Sequence, residues 1–169
     1  MLASGLGDKD PLTGAFNRAA AVSILSDWID QGEREAQIVG LAYIDIDHLK
    51  GVNDVYGHPA GDMVIREIAK ILQVTFPRQS IICRFSGDEF LAVSLGISRS
   101  KFLEHADLVR RQVKRIHERI EGVALYPVTL AIGTAFFLKD GRTWDELVAN
   151  ADARMSRGKK QGGDVVISN

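Results

Sequence analysis

Two polar clusters hold the side chains in this sequence whose types and spacing are best suited to chemistry. The first lies in DIDHLKGVNDVYGHPAGD, residues 45–62, where Asp45 directly follows an apolar run. The second is SGDE, residues 86–89, in which Asp88 and Glu89 stand between two apolar runs. Carboxylates that are brought together repel one another unless a divalent cation offsets their charge. If the fold joins these clusters, the pattern predicts a metal-binding site.

The other residues of the first cluster indicate which substrate such a site would take. Hard oxygen ligands suit Mg²⁺ or Mn²⁺, which complete their coordination with water and substrate phosphates. Lys50 stands close after Asp45, where it suits a phosphate contact, and the neighbouring glycines leave backbone N–H groups for phosphate oxygens. Asn53 and Asp62 suit the edge of a purine, and a carboxylate accepts the paired N–H donors of guanine. The pattern therefore predicts phosphoryl transfer on GTP rather than ATP.

Two simpler interpretations of the first cluster compete with the metal site. A calcium loop of the EF-hand type would begin at Asp45 and Asp47, but Leu49 and Lys50 stand where an oxygen ligand and the turn glycine belong. A polar loop that only caps the next helix is the favoured interpretation when this cluster is taken alone. The second acidic cluster reverses that preference, because adjacent strands of one sheet can bring both sets of carboxylates together.

The elements that must position these clusters follow from hydrophobic periodicity, in the order α-β-α-β-β-α-β-α-β. We predict a helix from about Asn17 to Gln31, a buried strand ending near Asp45, a helix from His58 to Pro77, a hairpin of SIICRF and FLAVSL with SGDE at its tip, a helix from Arg99 to Ile120, a strand in YPVTLAIGTAFFL, a helix in TWDELVANADARM opened by a Thr143/Glu146 capping box, and an edge strand DVVIS. This order predicts an α+β fold with the ferredoxin-like arrangement. The helices are expected on one face of a mainly antiparallel sheet.

Length and composition bound the class of protein. The 169 residues, of which 46% are apolar, predict one domain, which we place at residues 10–169 after a lead-in of residues 1–9. A formal net charge of −1 argues against nucleic acid as a partner. Cys83 is the only cysteine, and no apolar stretch reaches the roughly 20 residues of a membrane-spanning helix. We expect a cytoplasmic domain without direct membrane contact.

From DPLTGAFNR to ADARMSRGKKQGG, nearly the whole sequence resembles the GGDEF domain family, the diguanylate cyclases. Its motifs include D-x-D-x-x-K-x-x-N-D-x-x-G-H-x-x-G-D, which opens at Asp45, and the signature turn, here SGDEF. The resemblance implies that two GTP condense into cyclic di-GMP and two pyrophosphates at a homodimer interface, where each 3′-hydroxyl attacks the partner's α-phosphate. It also implies two Mg²⁺ or Mn²⁺ ions per site and an upstream sensor domain. The implied fold is the palm type of nucleotidyl cyclases. The main alternative is a catalytically silent GTP-binding or docking module of the same fold. Another palm-type nucleotidyl cyclase or transferase is disfavoured by Asn53 and Asp62, which specify guanine.

The resemblance also assigns roles to particular residues. The implied metal ligands are Asp45, the carbonyl of Ile46, Asp88 and Glu89. The implied catalytic residues are Lys50, Asp88 and Glu89, of which Asp88 helps to deprotonate the 3′-hydroxyl. The implied GTP-binding residues are Lys50 and Lys159 for the phosphates, Asn53 and Asp62 for guanine, and Gly87 for close approach of the backbone to the nucleotide.

Three features depart from the family pattern. Ser86 replaces the first glycine of the signature, and we expect activity to survive this change unless the backbone there needs a positive φ. Gly163 stands where the family has an arginine, which removes one triphosphate contact and slightly favours the silent alternative. Pro77 and Ser80 stand where many relatives carry the arginine and aspartate of a product-inhibition site, so we expect that site to be absent.

Overall fold

A five-stranded sheet with the order β2-β3-β1-β4-β5 forms the centre of the fold. The computed structural model describes residues 6–116, 120 and 127–169. The strands are β1 Val39–Asp47, β2 Ile81–Ser86, β3 Glu89–Leu95, β4 Thr129–Phe136 and β5 Val165–Ile167. Neighbouring strands are antiparallel except β4 and β5, which run parallel. The predicted α+β class and the mainly antiparallel sheet are confirmed.

Helices flank this sheet, and side chains cap the N-terminal ends of several of them. Their bounds are α1 Arg18–Glu35, α2 Leu49–Tyr56, α3 His58–Thr75, α4 Arg99–Val113 and α5 Trp144–Lys160. Asn17, Ser98 and Thr143 cap α1, α4 and α5 by accepting hydrogen bonds from N–H groups of the first turn. The predicted capping box at Thr143 forms only in part. The hydroxyl of Thr143 accepts from the N–H of Glu146, but the carboxylate of Glu146 accepts from the N–H of Arg142 rather than from that of Thr143. Among the described helices, none is long and apolar enough to cross a membrane.

The helices cover both faces of the sheet, so the prediction that they lie on one face is wrong. Side chains of β1 alternate between two apolar clusters. Ile44 belongs to the cluster that includes side chains of α3 and α4, whereas Leu41 belongs to the one that includes side chains of α1 and α5. Every residue of β1 is buried. A strand that is apolar on both faces needs cover on both, which one helical layer does not provide.

A short helix, absent from the predicted order of elements, follows β1. β1 runs past its expected end at Asp45 to Asp47, and α2 begins directly after His48, whose φ of 66° turns the chain out of the strand. Only Leu49 and Val52 of α2 are buried. Its apolar stripe is therefore too short to be recognised by periodicity.

Two longer helices differ from prediction at their C-terminal ends. α1 continues past Gln31 to Glu35, and α4 ends at Val113 instead of Ile120. Ile116 and Ile120 are nevertheless buried, so the apolar stripe predicts burial correctly although the helix stops earlier. Residues 117–119, and the predicted strand start at residue 126, lie outside the described residues.

Candidate functional site

The hairpin of β2 and β3 brings the second acidic cluster against the first. In the ladder between β1 and β3, Asp45 and Glu89 are direct cross-strand partners. The N–H of Ile46 donates to the carbonyl oxygen of Asp88 at 3.2 Å, which holds the turn beside the end of β1. The three carboxylates selected from the sequence are therefore neighbours at one end of the central strands.

Asp45 is a buried carboxylate with a lysine bound to it. Its exposed fraction is 7%, and the ammonium of Lys159 donates to its Oδ1 at 2.5 Å. Burial raises the pKa of Asp45 to about 6; Lys159 opposes that rise, and the charges of Asp88 and Glu89 add to it. The sequence predicts a phosphate contact for Lys159, but here its ammonium reaches from α5 and offsets the charge of Asp45.

The donor chemistry of this end of the sheet fits a hard divalent cation. In the described part of the chain, no group of three or more His, Cys, Asp or Glu side chains is already arranged to hold a metal ion. Asp45, Asp88 and Glu89 nevertheless concentrate carboxylate oxygens, and the position of Lys159 shows that Asp45 takes a positive partner. The metal roles of these residues, and of the carbonyl of Ile46, stay predictions.

Arg84 holds the signature turn in place. Its Nε and Nη2 donate to the carbonyl oxygen of Gly87 at 3.0 and 2.8 Å, and its Nη1 donates to Oδ1 of Asp10 at 3.2 Å. Asp10 also accepts hydrogen bonds from the N–H and hydroxyl of Thr13. One guanidinium thus links the loop at Asp10 to the signature turn. Sequence reasoning missed Arg84; the available signal was an arginine inside the apolar run IICRF.

The first two residues of the signature do not need a left-handed backbone. Ser86 has no positive φ, so the conformational objection to serine at this position is removed. Gly87 has no positive φ either, and a Cβ added to it would meet no atom within 4 Å. Gly87 lines a cavity, so the lack of a side chain leaves room there for a ligand.

A cavity of about 460 Å³ opens between α2, α3 and the signature turn. It is lined by five residues that the sequence selects for substrate binding or catalysis: Lys50, Asn53, Asp62, Gly87 and Asp88. This volume lies within the range of small-molecule pockets. The fold therefore gathers most of the predicted nucleotide-binding residues around one cavity, whereas Lys159 lies apart from its walls at Asp45.

The side chain of Asn53 lies against a glycine of the next helix. A Cβ added to Gly61 would stand 1.9 Å from Oδ1 of Asn53, so glycine lets α3 approach α2 closely. This Oδ1 is buried and has no hydrogen-bond partner among the described residues. A buried acceptor without a donor is unfavourable in the free protein. A ligand donor bound in the cavity would remove that cost.

Asp47, the second aspartate of the first cluster, holds the loop that follows α5. Its Oδ2 accepts hydrogen bonds from the hydroxyl of Thr129 at 2.8 Å and from the N–H of Asp164 at 3.0 Å. Gly163 has a φ of 74°, and a Cβ there would stand 2.4 Å from Oδ2 of Asp47. This loop conformation therefore favours glycine at position 163, because any side chain there would have to displace the carboxylate of Asp47.

The segment predicted to lack a product-inhibition site forms a tight turn. The N–H of Ser80 donates to the carbonyl oxygen of Pro77 at 2.8 Å, and the hydroxyls of Ser80 and Ser94 lie 2.7 Å apart. Arg78 is exposed and lines a separate cavity of about 210 Å³ together with Lys9. The lack of product feedback stays a prediction.

Comparison with known proteins identifies related sequences. The model of the family described as "Diguanylate cyclase, GGDEF domain" matches residues 8–165. The chain is 34% identical over 155 residues to the bifunctional diguanylate cyclase/cyclic di-GMP phosphodiesterase MucR of Pseudomonas aeruginosa, a match that covers 90% of this chain and 22% of MucR. It is 28% identical over 162 residues to the probable diguanylate cyclase DgcC of Escherichia coli, covering 93% of this chain and 42% of DgcC. The chain therefore spans less than half the length of these relatives.

A solved structure supports the fold. The GGDEF domain of DgcB from Caulobacter crescentus, crystallised in complex with c-di-GMP, matches with a TM-score of 0.89 and 26% identity. The match covers 98% of each chain. The mixed five-stranded sheet flanked by helices is thus shared along almost the whole length.

Proposed function

The chain belongs to the diguanylate cyclase GGDEF domain family, and on this basis we propose that it condenses two GTP into cyclic di-GMP and two pyrophosphates. One observation carries the proposal: Glu89 is the cross-strand partner of Asp45, while Asp88 beside it lines the nucleotide-sized cavity. Carboxylates for a cation and a cavity for a nucleotide therefore meet at one turn.

Guanine binds in the cavity between α2 and α3. The carboxylate of Asp62 accepts the two adjacent N–H donors on the guanine edge, a pattern that adenine lacks. The amide of Asn53 supplies a donor and an acceptor beside it, and its buried Oδ1 gains a partner when a base is bound. Selectivity for GTP over ATP follows from this pair.

The triphosphate extends from the cavity towards Asp45. Lys50 lines the cavity and supplies one positive charge, and Gly87 leaves its backbone accessible. Lys159 supplies a second positive charge from α5 once it leaves Asp45. No third charge comes from position 163, which is glycine and packs against Asp47.

Asp45, the carbonyl of Ile46, Asp88 and Glu89 are the residues that would hold two Mg²⁺ or Mn²⁺ ions. Bound there, these ions would offset the charge of the triphosphate and of the carboxylates. The fit rests on the donor set, since three carboxylates lie at the adjacent ends of β1 and β3 and Asp45 already takes a cationic partner.

The reaction needs two copies of the chain that face each other. On each copy Asp88 takes the proton of the 3′-hydroxyl, and the 3′-oxygen bonds to the α-phosphorus of the GTP on the partner. The bond from that phosphorus to the bridging oxygen breaks, and pyrophosphate leaves with the electron pair. The same step with the roles exchanged closes the ring, so a homodimer is required.

Product analysis tests this function. Purified protein is incubated with GTP and Mg²⁺ or Mn²⁺, and cyclic di-GMP and the linear intermediate are separated by chromatography. We expect product from the wild type, a higher rate per subunit at higher protein concentration, and none from Asp88→Asn. Asp30→Asn, which changes an exposed carboxylate on α1, is the matched control. Product from wild type no greater than from Asp88→Asn would contradict the proposal.

A silent GTP-binding module remains the second candidate function. The glycine at position 163 and the ammonium of Lys159 on Asp45 favour it, because both reduce the positive charge available to the triphosphate. The intact carboxylates Asp45, Asp88 and Glu89 weigh against it. Binding of GTP measured by calorimetry without any product would support this alternative.

A further inference from the structure

Two side chains with hydroxyl groups, on different strands, lie beside the Glu89 carboxylate. The hydroxyl of Ser86 donates to its Oε2 from the paired position on β2. Tyr43 lies two residues before Asp45 on the same face of β1, diagonally across the ladder from Glu89 and within reach of its carboxylate. Neither contact follows from the residue roles that the family resemblance assigns.

Tyr43 is placed so that its hydroxyl has little freedom. The residue is 5% exposed, and its ring meets that of Phe85 edge to face with centroids 5.6 Å apart. Burial raises the pKa of Tyr43 above its usual value, and the charge and hydrogen bond of Glu89 raise it further. A buried tyrosine hydroxyl needs a hydrogen-bond acceptor, and the ladder brings the carboxylate of Glu89 beside it.

Ser86 stands where the ladder between β2 and β3 is irregular. The register shifts between Arg84 and Ser86, and Ser86 then pairs directly with Glu89 across the turn. Glycine at this position would have no side-chain donor for the carboxylate of Glu89. The serine is thus an added hydrogen-bond donor at a place where its backbone is unstrained.

Two donors still leave room for a cation on the same carboxylate. An ionised carboxylate has about four lone-pair positions, of which two hydroxyls use two. The side chain of Glu89 has one more rotatable bond than those of Asp45 and Asp88. A cation that binds an unrestrained Glu89 must therefore also order this side chain, at a cost in conformational entropy. Donors that fix the carboxylate in advance lessen that ordering.

We propose that Tyr43 and Ser86 are positioning residues, which together hold Glu89 oriented beside Asp45 for a divalent cation. The inference rests on the proposed function in one respect, namely that Glu89 is a cation ligand. It goes beyond that function by assigning a role to a core tyrosine and to the serine of the variant signature. Outer hydrogen-bond partners of metal ligands commonly change metal affinity about 10-fold or more.

Binding of Mn²⁺ alone, measured by the electron paramagnetic resonance signal of the free ion, tests the inference without turnover. The variants are Tyr43→Phe, Ser86→Ala and their combination, with Ser86→Thr as the control that keeps a hydroxyl. We expect dissociation constants about 10-fold higher for each of the first two, higher still for the double variant, and near wild type for Ser86→Thr. Unchanged affinity in both single variants would overturn the inference.

The same measurements in a Glu89→Gln background show whether the hydroxyls act through Glu89. We expect Glu89→Gln to weaken Mn²⁺ binding, and Tyr43→Phe or Ser86→Ala to add little to that loss. The inference would be overturned if Tyr43→Phe or Ser86→Ala weakened Mn²⁺ binding as much in the Glu89→Gln background as in the wild type. It would also be overturned if Glu89→Gln alone left Mn²⁺ binding unchanged. Thermal unfolding is used to check that each variant is folded. If Tyr43→Phe is unstable, the variants of Ser86, which is exposed, decide the outcome. Absence of cyclic di-GMP would contradict the proposed function and leave this result standing.

Discussion

The ammonium of Lys159 lies 2.5 Å from Oδ1 of Asp45, so a residue of α5 places a positive charge where the proposed reaction needs a cation. The side chain of Asp45 is 10% exposed and that of Lys159 is 41% exposed. Burial lowers the pKa of Lys159, but its hydrogen bond and charge interaction with Asp45 raise it overall. The lysine therefore stays charged and would compete with a cation for the carboxylate.

Removing this lysine charge should have opposite effects on the cation and on the nucleotide. Lys159→Met is expected to tighten the binding of Mn²⁺ alone about fivefold, since a partly exposed ion pair contributes about 1 kcal/mol. The same variant should raise KM for GTP, because the triphosphate loses a positive charge. Lys160→Met, at the exposed neighbouring position, is the control. Weaker Mn²⁺ binding in Lys159→Met would contradict this competition.

The choice of GTP over ATP should depend on Asp62. Asp62→Asn exchanges one acceptor oxygen for a donor and so breaks the pairing with the two N–H groups of guanine. We expect KM for GTP to rise about 10- to 100-fold, since one paired base contact is worth about 1–3 kcal/mol of discrimination. ATP binding, measured by calorimetry on the same samples, serves as the internal control. An equal loss for both nucleotides would mean that Asp62 does not recognise the base.

Position 163 should not accept the arginine that the family carries. Gly162 and Gly163 both have positive φ values, but only a Cβ at Gly163 meets Asp47. We expect Gly162→Ala to lower the free energy of unfolding by about 1 kcal/mol through backbone strain alone. Gly163→Ala should lower it by about 2 kcal/mol more, because the added atom overpacks the loop. Urea unfolding measures both.

Gly163→Arg extends that test to activity. We expect this variant to be less stable than the wild type and to form cyclic di-GMP more slowly, although it restores a charge. Faster product formation by Gly163→Arg would show that the loop can rearrange around Asp47.

The pair of Asp140 and Arg154 should make stability depend on acid pH. Nη2 of Arg154 donates to Oδ1 of Asp140 at 2.8 Å, and the N–H of Phe136 donates to Oδ2 at 2.9 Å. Burial alone would raise the pKa of Asp140, but these two donors lower it below the usual value of an aspartate. A carboxyl group whose pKa is lower in the folded state stabilises the protein at every pH above its pKa in the unfolded state. That stabilisation is lost as the pH falls through its pKa in the folded state.

Asp140→Asn tests this contribution. We expect it to lower the free energy of unfolding by about 3 kcal/mol at pH 7, since it leaves Arg154 without its charged partner. The difference from wild type should narrow as the pH falls below about 4, because protonation removes the same interaction from the wild type. Asp27→Asn, an exposed change on α1, controls for general charge effects. A difference that is constant down to pH 2 would contradict the prediction.

The sequence was sufficient to predict that the two acidic clusters come together, because both sit at the ends of recognisable strands. Asp45 follows an apolar run, and Asp88 and Glu89 stand at the tip of a hairpin, so sheet pairing alone could place them together. The α+β class followed in the same way from the alternation of helical and strand periods.

The contacts that refine the site could not be predicted, because they join residues far apart in sequence through their side chains. Tyr43 sits inside an apolar strand and is indistinguishable there from a core residue, yet it is a diagonal cross-strand neighbour of Glu89. Lys159 matches a phosphate-binding position, and only the packing of α5 against the sheet reveals its bond to Asp45. Cover on both faces of β1 was likewise missed, because helix order alone does not say which face a helix takes.

The central claim is that Asp45, Asp88 and Glu89 form one cation site beside a bound guanine nucleotide. Anomalous diffraction from crystals grown with Mn²⁺ and a non-hydrolysable GTP analogue tests it most directly. We expect Mn²⁺ peaks about 2 Å from oxygens of these three carboxylates, with the base between Asn53 and Asp62 and with Lys159 moved from Asp45 to the phosphates. Mn²⁺ bound elsewhere, or a nucleotide outside this cavity, would contradict the claim.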